Sequence, residues 1–465
     1  MDLPTDVVPA GPRSVSFRQA VEIWARVAAL SFGGPAGQIA VMHRILVEEQ
    51  RWLGERRFLH ALNYCMLLPG PEAQQLAIYI GWLMHRTLGG LVAGALFVLP
   101  GFVSIMALSI LYAEFGHLAP VAALFFGLKA AVLVVVVQAV LRLGRRSLRN
   151  RAMVAIAAGA FLALFVFKVP FPVVIGAAGL IGFAGARLGA AAFAGGAGHA
   201  ATSGAEVADA DTVLGEETPD HARPNLRWSL GVSAVLFVLW LAPICASWAL
   251  LGGASVFTQI GAFFGRMSVV TFGGAYAVLA YVAQEAVQGY HWVSPGEMLD
   301  GLGMAETTPG PLIMVTQFVG FLAAFRHAGG MDPLLAGVLG SVLTTWVTFV
   351  PCYIWIFLGA PWVEALRHAR ALAAALAAVG AAVVGVILNL AVWFALHVCF
   401  GRVFEFRQFG LALEAPDPAS INLPSVLLSL AAAIAAFRFK LGVIPLLVGA
   451  AVAGLAWYAL SALRT

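Results

Sequence analysis

The feature that most constrains this chain is a pair of Gly- and Pro-containing breaks inside apolar segments, which occurs twice at one spacing. The first copy opens at Ser31 to Pro35 and closes at Pro69 to Pro71. The second opens at Thr271 and closes at Pro309 to Pro311, each position 240 residues later. Because proline lacks the amide donor and glycine tolerates almost any backbone angle, each motif predicts an interrupted helix. Unpaired backbone groups are too costly in lipid, so we expect each break either to be buried in protein or to line a polar cavity.

The chain predicts a protein whose solvent is lipid. Of the 465 residues 61% are hydrophobic and only 11% are charged, whereas an ordinary soluble domain carries about 25% charged residues. Apolar runs long enough to span a bilayer recur throughout. We therefore predict an all-α, polytopic membrane protein with about 10–13 transmembrane or re-entrant helices. We attribute the net charge of +4 to topology and lipid headgroups, and not to nucleic-acid binding.

The composition changes between residues 191 and 226, where acidic residues stand among Gly, Ala, Ser and Thr. Such a segment is typical of a flexible linker. We predict that it joins two homologous halves, 1–190 and 227–465. On the predicted spans, the second copy of the motif is shifted by an odd number of segments. An odd shift makes the two copies face opposite sides of the membrane, which predicts inverted repeats.

Orientation can be predicted from the arginines in the loops. The loop at 142–151 is rich in arginine and is predicted to be cytoplasmic. The loop at 43–57 is also rich in arginine, yet simple counting of spans places it outside. Two explanations stay open: the first two segments are re-entrant hairpins that return this loop to the cytoplasm, or the loop is an exception to the rule.

The repeated breaks predict a binding site for an oxyanion. After each break, the next half-helix presents unpaired N–H groups and a positive dipole end, which bind anions without a dedicated cation. Neighbouring hydroxyl and amide side chains can donate as well. The alternatives are a Gly-rich packing interface with proline kinks, and hydroxyls that bond back to their own helix. The candidate residues are Ser31, Gly33, Gly34, Pro69, Gly70, Pro71, Glu72, Gln74, Gln75, Thr271, Gly273, Gly274, Thr308, Pro309, Gly310 and Pro311.

Three charged residues near the breaks complete the candidate site. Arg26 and Lys129 fall in apolar runs, where a charge usually marks a transport pathway, so either is a candidate to neutralise the anion. The alternatives are that Arg26 pairs with Glu22 and that Lys129 extends toward the membrane interface. Glu72 suits a helix start but would repel a dianion. Its protonation on substrate binding would couple transport to protons; a simple cap is the alternative.

No cofactor is expected from the sequence. The four cysteines form no Cys-x-x-Cys pair, and the histidines show no metal-ligand spacing. A P-loop and a dinucleotide fingerprint are both absent. We therefore expect no metal site, no catalytic residues and a transporter instead of an enzyme. A membrane reductase is the competing hypothesis from another class, and it would need a redox centre.

The motifs at Ser31 to Pro35 and Pro69 to Gln75 resemble those of the chromate ion transporter family, often called CHR, in its long two-domain bacterial form. The second half carries a weaker copy, since Ala275 stands after Gly274 and Leu312 follows Pro311. The resemblance implies a multi-pass secondary transporter of the bacterial inner membrane. It would export chromate from the cytoplasm, driven by the membrane potential or a proton gradient, and confer chromate resistance. The implied partners are chromate and the lipid bilayer, with a homodimer kept open.

The chemistry of the substrate leaves one alternative function. Chromate and sulfate have nearly the same size, charge and tetrahedral shape, so the residues alone do not choose between them, or between export and import. The alternative is an uptake permease or channel for sulfate or another tetrahedral oxyanion, built on the same architecture.

Overall fold

The computed structural model describes residues 15–193, 207–217, 219–223, 225–272, 274–360, 370–408 and 411–463. Within these residues the chain is almost entirely helical, with a single two-stranded sheet. The all-α class is confirmed. The helices of the first half are α1 (Phe17–Leu30), α2 (Gly34–His43), α3 (Glu55–Cys65), α4 (Glu72–Phe115), α5 (Ala119–Ser147), α6 (Arg151–Phe165) and α7 (Phe171–Arg187).

A connecting helix, α8 (Leu226–Leu251), leads into the second half. Its helices are α9 (Val256–Val270), α10 (Ala275–Ala283), α11 (Pro295–Thr307), α12 (Val315–Arg326), α13 (Pro333–Gly359), α14 (Arg370–Cys399), α15 (Leu423–Phe437) and α16 (Val443–Ala462). Six helices within the described residues are long and apolar enough to cross a membrane: α4, α5, α8, α13, α14 and α16. The chain is therefore a multi-pass membrane protein, as its composition predicted.

A β-hairpin between α14 and α15 was not predicted. Its antiparallel strands, β1 (Val403–Gln408) and β2 (Leu411–Pro416), place Glu405 opposite Glu414. Glu414 forms an ion pair of 2.8 Å with Lys168, from the loop between α6 and α7. The β-hairpin is therefore bonded to the loop that joins α6 and α7.

The sequence repeat is also a repeat of backbone conformation. Irregular π-helical turns occupy Arg44–Glu49 and Gln284–Gly289, again 240 positions apart. Gly70 has φ of 109° and Gly310 has φ of 108°. Two non-glycine residues with positive φ, Arg51 and His291, follow the same spacing. Because L-residues rarely adopt this conformation, its recurrence at equivalent positions shows that both halves fold the motif in the same way.

The first break, after α1, reverses the chain. A continuous helix would hold residues 26 and 49 about 34 Å apart. Instead, Arg26 Nη1 lies 2.8 Å from Glu49 Oε2. The rings of Trp24 and Trp52 are also in contact, with centroids 6.1 Å apart. Residues 17–49 therefore form a helical hairpin, hairpin 1, whose tip is the break at 31–33.

The other three breaks also reverse the chain. Tyr64 and Tyr79 lie on either side of the Pro69–Pro71 break with centroids 6.2 Å apart, which defines hairpin 2 (55–84). Phe264 and Trp292, the equivalents of Trp24 and Trp52, have ring centroids 6.1 Å apart although Trp292 follows the end of hairpin 3 (256–289), so this hairpin also reverses the chain. Glu297 and Arg326 form an ion pair across hairpin 4 (295–326). A continuous helix would separate each of these pairs by about 20–45 Å.

A second reversal inside α4 ends hairpin 2. His85 and Arg86 leave the helical conformation, with φ of 55° at Arg86. The two arms then pack closely, because a Cβ atom on Gly89 would collide with the carbonyl of Gly81. Small residues commonly permit such close approach in membrane helices. Residues 87–115 form the spanning arm of α4.

A proline lies inside each of the helices α8 and α13, and two tryptophans bond to the carbonyls that these prolines leave without a donor. Proline donates no hydrogen bond to the carbonyl four residues earlier. Pro243 thus frees the carbonyl of Leu239, which accepts a bond of 2.9 Å from the indole of Trp346. Pro351 frees the carbonyl of Val347, which accepts a bond of 2.9 Å from the indole of Trp240. This reciprocal arrangement satisfies backbone groups that lipid would leave unpaired.

The described part of the acidic segment between the halves lies against hairpin 2. The Asp209 carboxylate accepts a bond of 3.1 Å from the Gly54 amide. Arg57 donates to the carbonyls of Glu216 and Glu217. The division of the chain at 191 and 226, with a flexible linker between halves, stays a prediction.

Candidate functional site

The tips of the four hairpins meet, and they bond in exchanged pairs. The Gly310 amide of hairpin 4 donates to the Ser31 carbonyl of hairpin 1, over 2.8 Å. The Gly70 amide of hairpin 2 donates to the Thr271 carbonyl of hairpin 3, over 3.2 Å. Each Pro-Gly-Pro break of one half is therefore fastened to the Phe-Gly-Gly break of the other half. We call this meeting point the crossover.

One side chain strengthens only one of these two contacts. Gln38, on α2, donates from Nε2 to the Gly310 carbonyl over 2.5 Å, and it is buried. The equivalent residue of the second half is Val278, which has no donor. The tip of hairpin 4 is thus held through both its amide and its carbonyl.

The crossover lies halfway along a membrane-spanning helix. A Cβ atom on Gly101 would lie 3.0 Å from the Pro309 carbonyl oxygen, so the tip of hairpin 4 touches the spanning arm of α4 at this residue. Gly101 is the central residue of the arm 87–115, so each end of the arm is about 21 Å away. A hydrocarbon core of about 30 Å therefore places the crossover near mid-depth.

Four helix starts converge on the crossover. These are α2, α4, α10 and the 3₁₀ turn Leu312–Met314 that leads into α12, and none has a side-chain cap. Other helix starts of the described chain also lack a side-chain cap, such as those of α5 and α9, but they do not converge on one point. The first amides of an uncapped helix need partners, and its dipole end is positive. The crossover can therefore offer several amide donors to one anion.

Two buried glutamines follow the first Pro-Gly-Pro break. Gln75 donates from Nε2 to the Pro69 carbonyl over 2.7 Å, which braces the tip of hairpin 2. Neither atom of the Gln74 carboxamide reaches hydrogen-bond geometry within the described residues, although the Tyr353 hydroxyl is nearby. A buried amide group without a bond costs free energy, so the Gln74 carboxamide would bond either to the Tyr353 hydroxyl or to a ligand.

The candidate hydroxyls bond to their own helices. Ser31 donates to the Val27 carbonyl over 2.7 Å, and Thr271 donates to the Met267 carbonyl over 2.6 Å. Thr308 makes a longer contact of 3.4 Å with the Ala305 carbonyl. The alternative of local bonding, weighed from the sequence, holds for these three in this structure. The backbone carbonyls of Ser31 and Thr271, rather than their hydroxyls, join the halves.

Two carboxylates stand beside the crossover. A Cβ atom on Gly274 would lie 3.4 Å from Glu72 Oε1, so Glu72 of the first half faces the tip of hairpin 3. Glu306, buried near the end of α11, accepts a bond of 2.7 Å from the Tyr276 hydroxyl at the start of α10. Two carboxyl groups, of Glu72 and Glu306, therefore lie at the crossover beside the uncapped helix starts.

The two predicted cations are not at the crossover. Arg26 lies on α1 with 46% of its side chain exposed, and it pairs with Glu49 instead of with Glu22. Lys129, on α5, pairs with Asp300 over 3.3 Å. Neither cation reaches the tips in this structure. Their assignment to the substrate stays a prediction.

The remaining candidates fall together as the repeat predicted. Gly273 lies outside the described residues. The positions that the structure brings to the four tips, or to the helix starts beside them, are Ser31, Gly33, Gly34, Pro69, Gly70, Pro71, Glu72, Gln74, Gln75, Thr271, Gly274, Thr308, Pro309, Gly310 and Pro311. Their role in binding stays a prediction.

Sequence reasoning missed Gln38, Tyr276 and Asp300. A signal existed for Asp300 and Gln38, since a carboxylate or carboxamide within an apolar segment is costly and usually functional. Tyr276 gave no such signal, because a tyrosine in a membrane helix is common. Only the packing of α10 against α11 gives its hydroxyl a carboxylate partner.

The comparison with known protein families is consistent with this architecture. A family model described as Chromate transporter matches residues 18–183 and 258–455, which is most of the chain. The chain belongs to the chromate transporter family. The matched stretches contain both copies of the breaks and all four hairpin tips.

Curated members of the chromate transporter family resemble the chain over most of its length. A chromate transport protein of Cupriavidus metallidurans is 27% identical over 482 aligned positions, covering 98% of both chains. A chromate transport protein of Pseudomonas aeruginosa is 31% identical and covers 83% of this chain and 82% of its own. A probable chromate transport protein of Synechococcus elongatus is 26% identical over 76% of this chain and 78% of its own. No solved structure matches the chain.

Proposed function

We propose that this protein is a secondary transporter that exports chromate from the cytoplasm of a bacterium across its inner membrane. The observation that carries the proposal is the exchanged pairing of the tips, Gly310 with Ser31 and Gly70 with Thr271, at mid-depth. Membership of the chromate transporter family supports chromate as the substrate. Export driven by the membrane potential or a proton gradient, with chromate resistance as the result, is the function that we test below.

The substrate would lie between the tips as a dehydrated dianion. The uncapped helix starts supply amide donors without carrying a full positive charge, and the Gln74 carboxamide adds a side-chain donor. Such a site stabilises an anion while holding it loosely enough to release it. Since backbone amides recognise charge and shape, sulfate is the natural competitor. No redox step is part of this proposal, and the protein acts as a transporter and not as an enzyme.

We further propose that the two halves are inverted repeats. His85, at one end of the spanning arm of α4, bonds to the Val15 carbonyl just before hairpin 1, over 2.9 Å. Tyr112, near the other end of this arm, bonds to Asp300 of hairpin 4 over 2.9 Å. The two hairpin sets thus enter from opposite ends of one helix. This geometry supports alternating access, in which one pair of hairpins opens at a time.

The same geometry supports an orientation. The chain returns through α5, so the arginine-rich loop 142–151 lies at the His85 end of the spanning arm. Because hairpins 1 and 2 both re-enter, the loop 43–57 lies at that end too. Both basic loops then share one surface, which the positive-inside rule assigns to the cytoplasm. We call this the first surface, and the surface near Tyr112 and hairpin 4 the second surface.

The proposal is tested by flux of labelled chromate in proteoliposomes, with pH and voltage gradients imposed separately and sulfate as competitor. We expect saturable chromate flux that responds to a gradient and is inhibited by sulfate only at higher concentration. Flux at the rate of empty vesicles would contradict chromate transport. Tighter inhibition by sulfate than by unlabelled chromate would instead indicate a sulfate permease.

Direction is tested in cells. A strain that produces the protein should accumulate less chromate and survive higher chromate concentrations than a strain that produces an inactive variant. Gly310→Leu serves as that variant, because its side chain would occupy the crossover. Greater accumulation with the wild-type protein would contradict export and support uptake.

A further inference from the structure

A second intramembrane charge cluster lies between the halves, away from the crossover. Lys129 Nζ on α5 lies 3.3 Å from Asp300 Oδ2 on α11. The Tyr112 hydroxyl donates to the same oxygen over 2.9 Å. Asp300 therefore joins two helices of the first half to hairpin 4 of the second half.

The two oxygens of this carboxylate differ. Oδ2 accepts from both Tyr112 and Lys129, whereas Oδ1 is buried and has no hydrogen-bond partner within the described residues. A buried carboxylate oxygen without a donor is costly while it is charged. Since a proton on Oδ1 would remove that charge, Oδ1 is the atom at which Asp300 would take a proton.

Lys129 is accessible where Asp300 is not. Its side chain is 29% exposed, whereas that of Asp300 is 4% exposed. Lys129 stands ten residues into α5, so it lies about 15 Å from the start of that helix at the second surface. Its ammonium group is therefore a partly exposed cation at intramembrane depth, between the crossover and the second surface.

A second carboxylate, that of Glu297, lies on the same helix as Asp300, α11. Glu297 lies three residues earlier, on the same face and nearer to the second surface. It is held by Arg326, which also donates to the Trp292 carbonyl over 2.9 Å. Among the described residues, the charged and titratable groups that face Asp300 are Lys129, Tyr112 and Glu297. Arg326 is engaged with Glu297.

The acidic residues of this cluster are not repeated in the first half. The residues of hairpin 2 that are equivalent to Glu297 and Asp300 are Arg57 and His60. Equivalent positions thus carry acidic residues in hairpin 4, near the second surface, and basic residues in hairpin 2, near the first surface. A device made of Lys129 and Asp300 can therefore act on anions at only one surface.

We propose that Asp300 and Lys129 form a proton-controlled anion gate on the path between the crossover and the second surface. This inference rests on the proposed function. With Asp300 ionised, its carboxylate holds the Lys129 ammonium. A proton from water at the second surface adds to Oδ1, which leaves a neutral carboxylic acid. Lys129 then takes the oxyanion, and the proton returns to the same water when the anion has left.

The test measures exchange of labelled chromate in proteoliposomes, with the same pH on both sides, between about pH 5.5 and 8. Protonation of Asp300 frees Lys129, so we expect wild-type exchange to be faster at low pH. Asp300→Asn is permanently neutral, so its exchange should be fast at high pH and change by less than about twofold over this range. Lys129→Ala should slow exchange by about tenfold or more at every pH.

Two further variants guard against loss of folding. Asp300→Glu should keep a pH-dependent rate, because it keeps the carboxyl group. Glu22→Gln is the matched control, since it removes a carboxylate from the exposed pair with Arg18 and should leave exchange unchanged. All variants are compared at equal amounts, with thermal unfolding in detergent measured for each.

The outcomes separate this inference from the proposed function. Wild-type pH dependence in folded Asp300→Asn, or wild-type exchange in Lys129→Ala, would overturn the gate and leave chromate transport intact. No chromate exchange by the wild-type protein at any pH would overturn the proposed function itself. Unfolded Asp300→Asn with pH-independent Asp300→Glu would also overturn the gate, because the carboxyl group would then be structural.

Discussion

The two halves share the backbone conformation of the repeated motif but differ in the side chains that they carry on it. Their tips share φ angles, π-helical turns and exchanged amide bonds. Their side chains differ at equivalent positions: Gln38 corresponds to Val278, Glu72 to Leu312, and His60 to Asp300. The two halves therefore share the backbone of the crossover, where each half can offer equivalent amide donors to one anion. The unshared part gives the two routes to the crossover different charges, with acids at Glu297 and Asp300 where the first half has Arg57 and His60.

The largest expected effect compares the two Pro-Gly-Pro glycines. Each has positive φ, so alanine is strained at either site. At Gly310 a Cβ atom would lie 2.9 Å from the Cα atom of Gly101, and backbone cannot move aside. At Gly70 it would lie 3.2 Å from the Cys352 sulfur, which can rotate. We expect chromate flux to fall more than about 100-fold in Gly310→Ala and about tenfold in Gly70→Ala.

Initial rates at matched protein amounts measure this difference. Gly231→Ala is the control, because a Cβ atom there meets nothing within 4 Å. Equal losses at Gly70 and Gly310 would show that the tips are held equally, and that the contact with Gly101 does not distinguish them.

The next effect tests the side chain that holds only hairpin 4. Gln38→Leu leaves the buried Gly310 carbonyl without its donor, which costs about 1–3 kcal/mol. We expect about a tenfold loss of chromate flux, with a lower unfolding temperature. Gln259→Leu, which removes an exposed glutamine–backbone bond on α9, should change neither. Unchanged flux in Gln38→Leu would mean that the amide bond to Ser31 suffices to hold this tip.

A gain of affinity is expected from Glu72→Gln. The carboxylate faces the tip of hairpin 3, where it repels a dianion while it is ionised. Glutamine has the same shape without the charge, so we expect chromate to bind about tenfold more tightly at neutral pH, or about 1.4 kcal/mol. Binding is measured by the chromate-dependent shift in unfolding temperature. Weaker binding by Glu72→Gln would show that this carboxyl positions the helix start.

The smallest effect is expected at Arg26. Its ion pair with Glu49 is about half exposed, and such pairs contribute about 0–1 kcal/mol. We expect Arg26→Ala to change chromate flux by less than about twofold, with Arg18→Ala as an exposed control on the same helix. A loss of flux comparable to that of Gly70→Ala would support the prediction that Arg26 contacts the substrate. It would also imply that hairpin 1 rotates during transport.

Much of the architecture could be read from local sequence. Low charge predicted lipid as the solvent, and runs of apolar residues predicted the spans now seen as α5, α8 and α13. Gly and Pro predicted where helices stop, as at residues 31–33 and 66–71. These features are set by neighbouring residues, because helix hydrogen bonds join groups four positions apart and solvation depends on local composition. The reversal in the first two segments was one of two explanations left open by the sequence, and contacts such as the Arg26–Glu49 ion pair show it.

The tertiary structure alone decided which breaks touch. The sequence shows two Pro-Gly-Pro motifs and two Phe-Gly-Gly motifs, but the exchanged bonds from Gly310 to Ser31 and from Gly70 to Thr271 join residues about 200 or more positions apart. It also decided that Lys129 meets Asp300, and that the Ser31 hydroxyl bonds to its own helix. Contacts of this kind depend on how whole helices pack, and many pairings would satisfy the same local rules. The sequence therefore predicted the four breaks, and the packing of the helices decided which of them meet at the crossover.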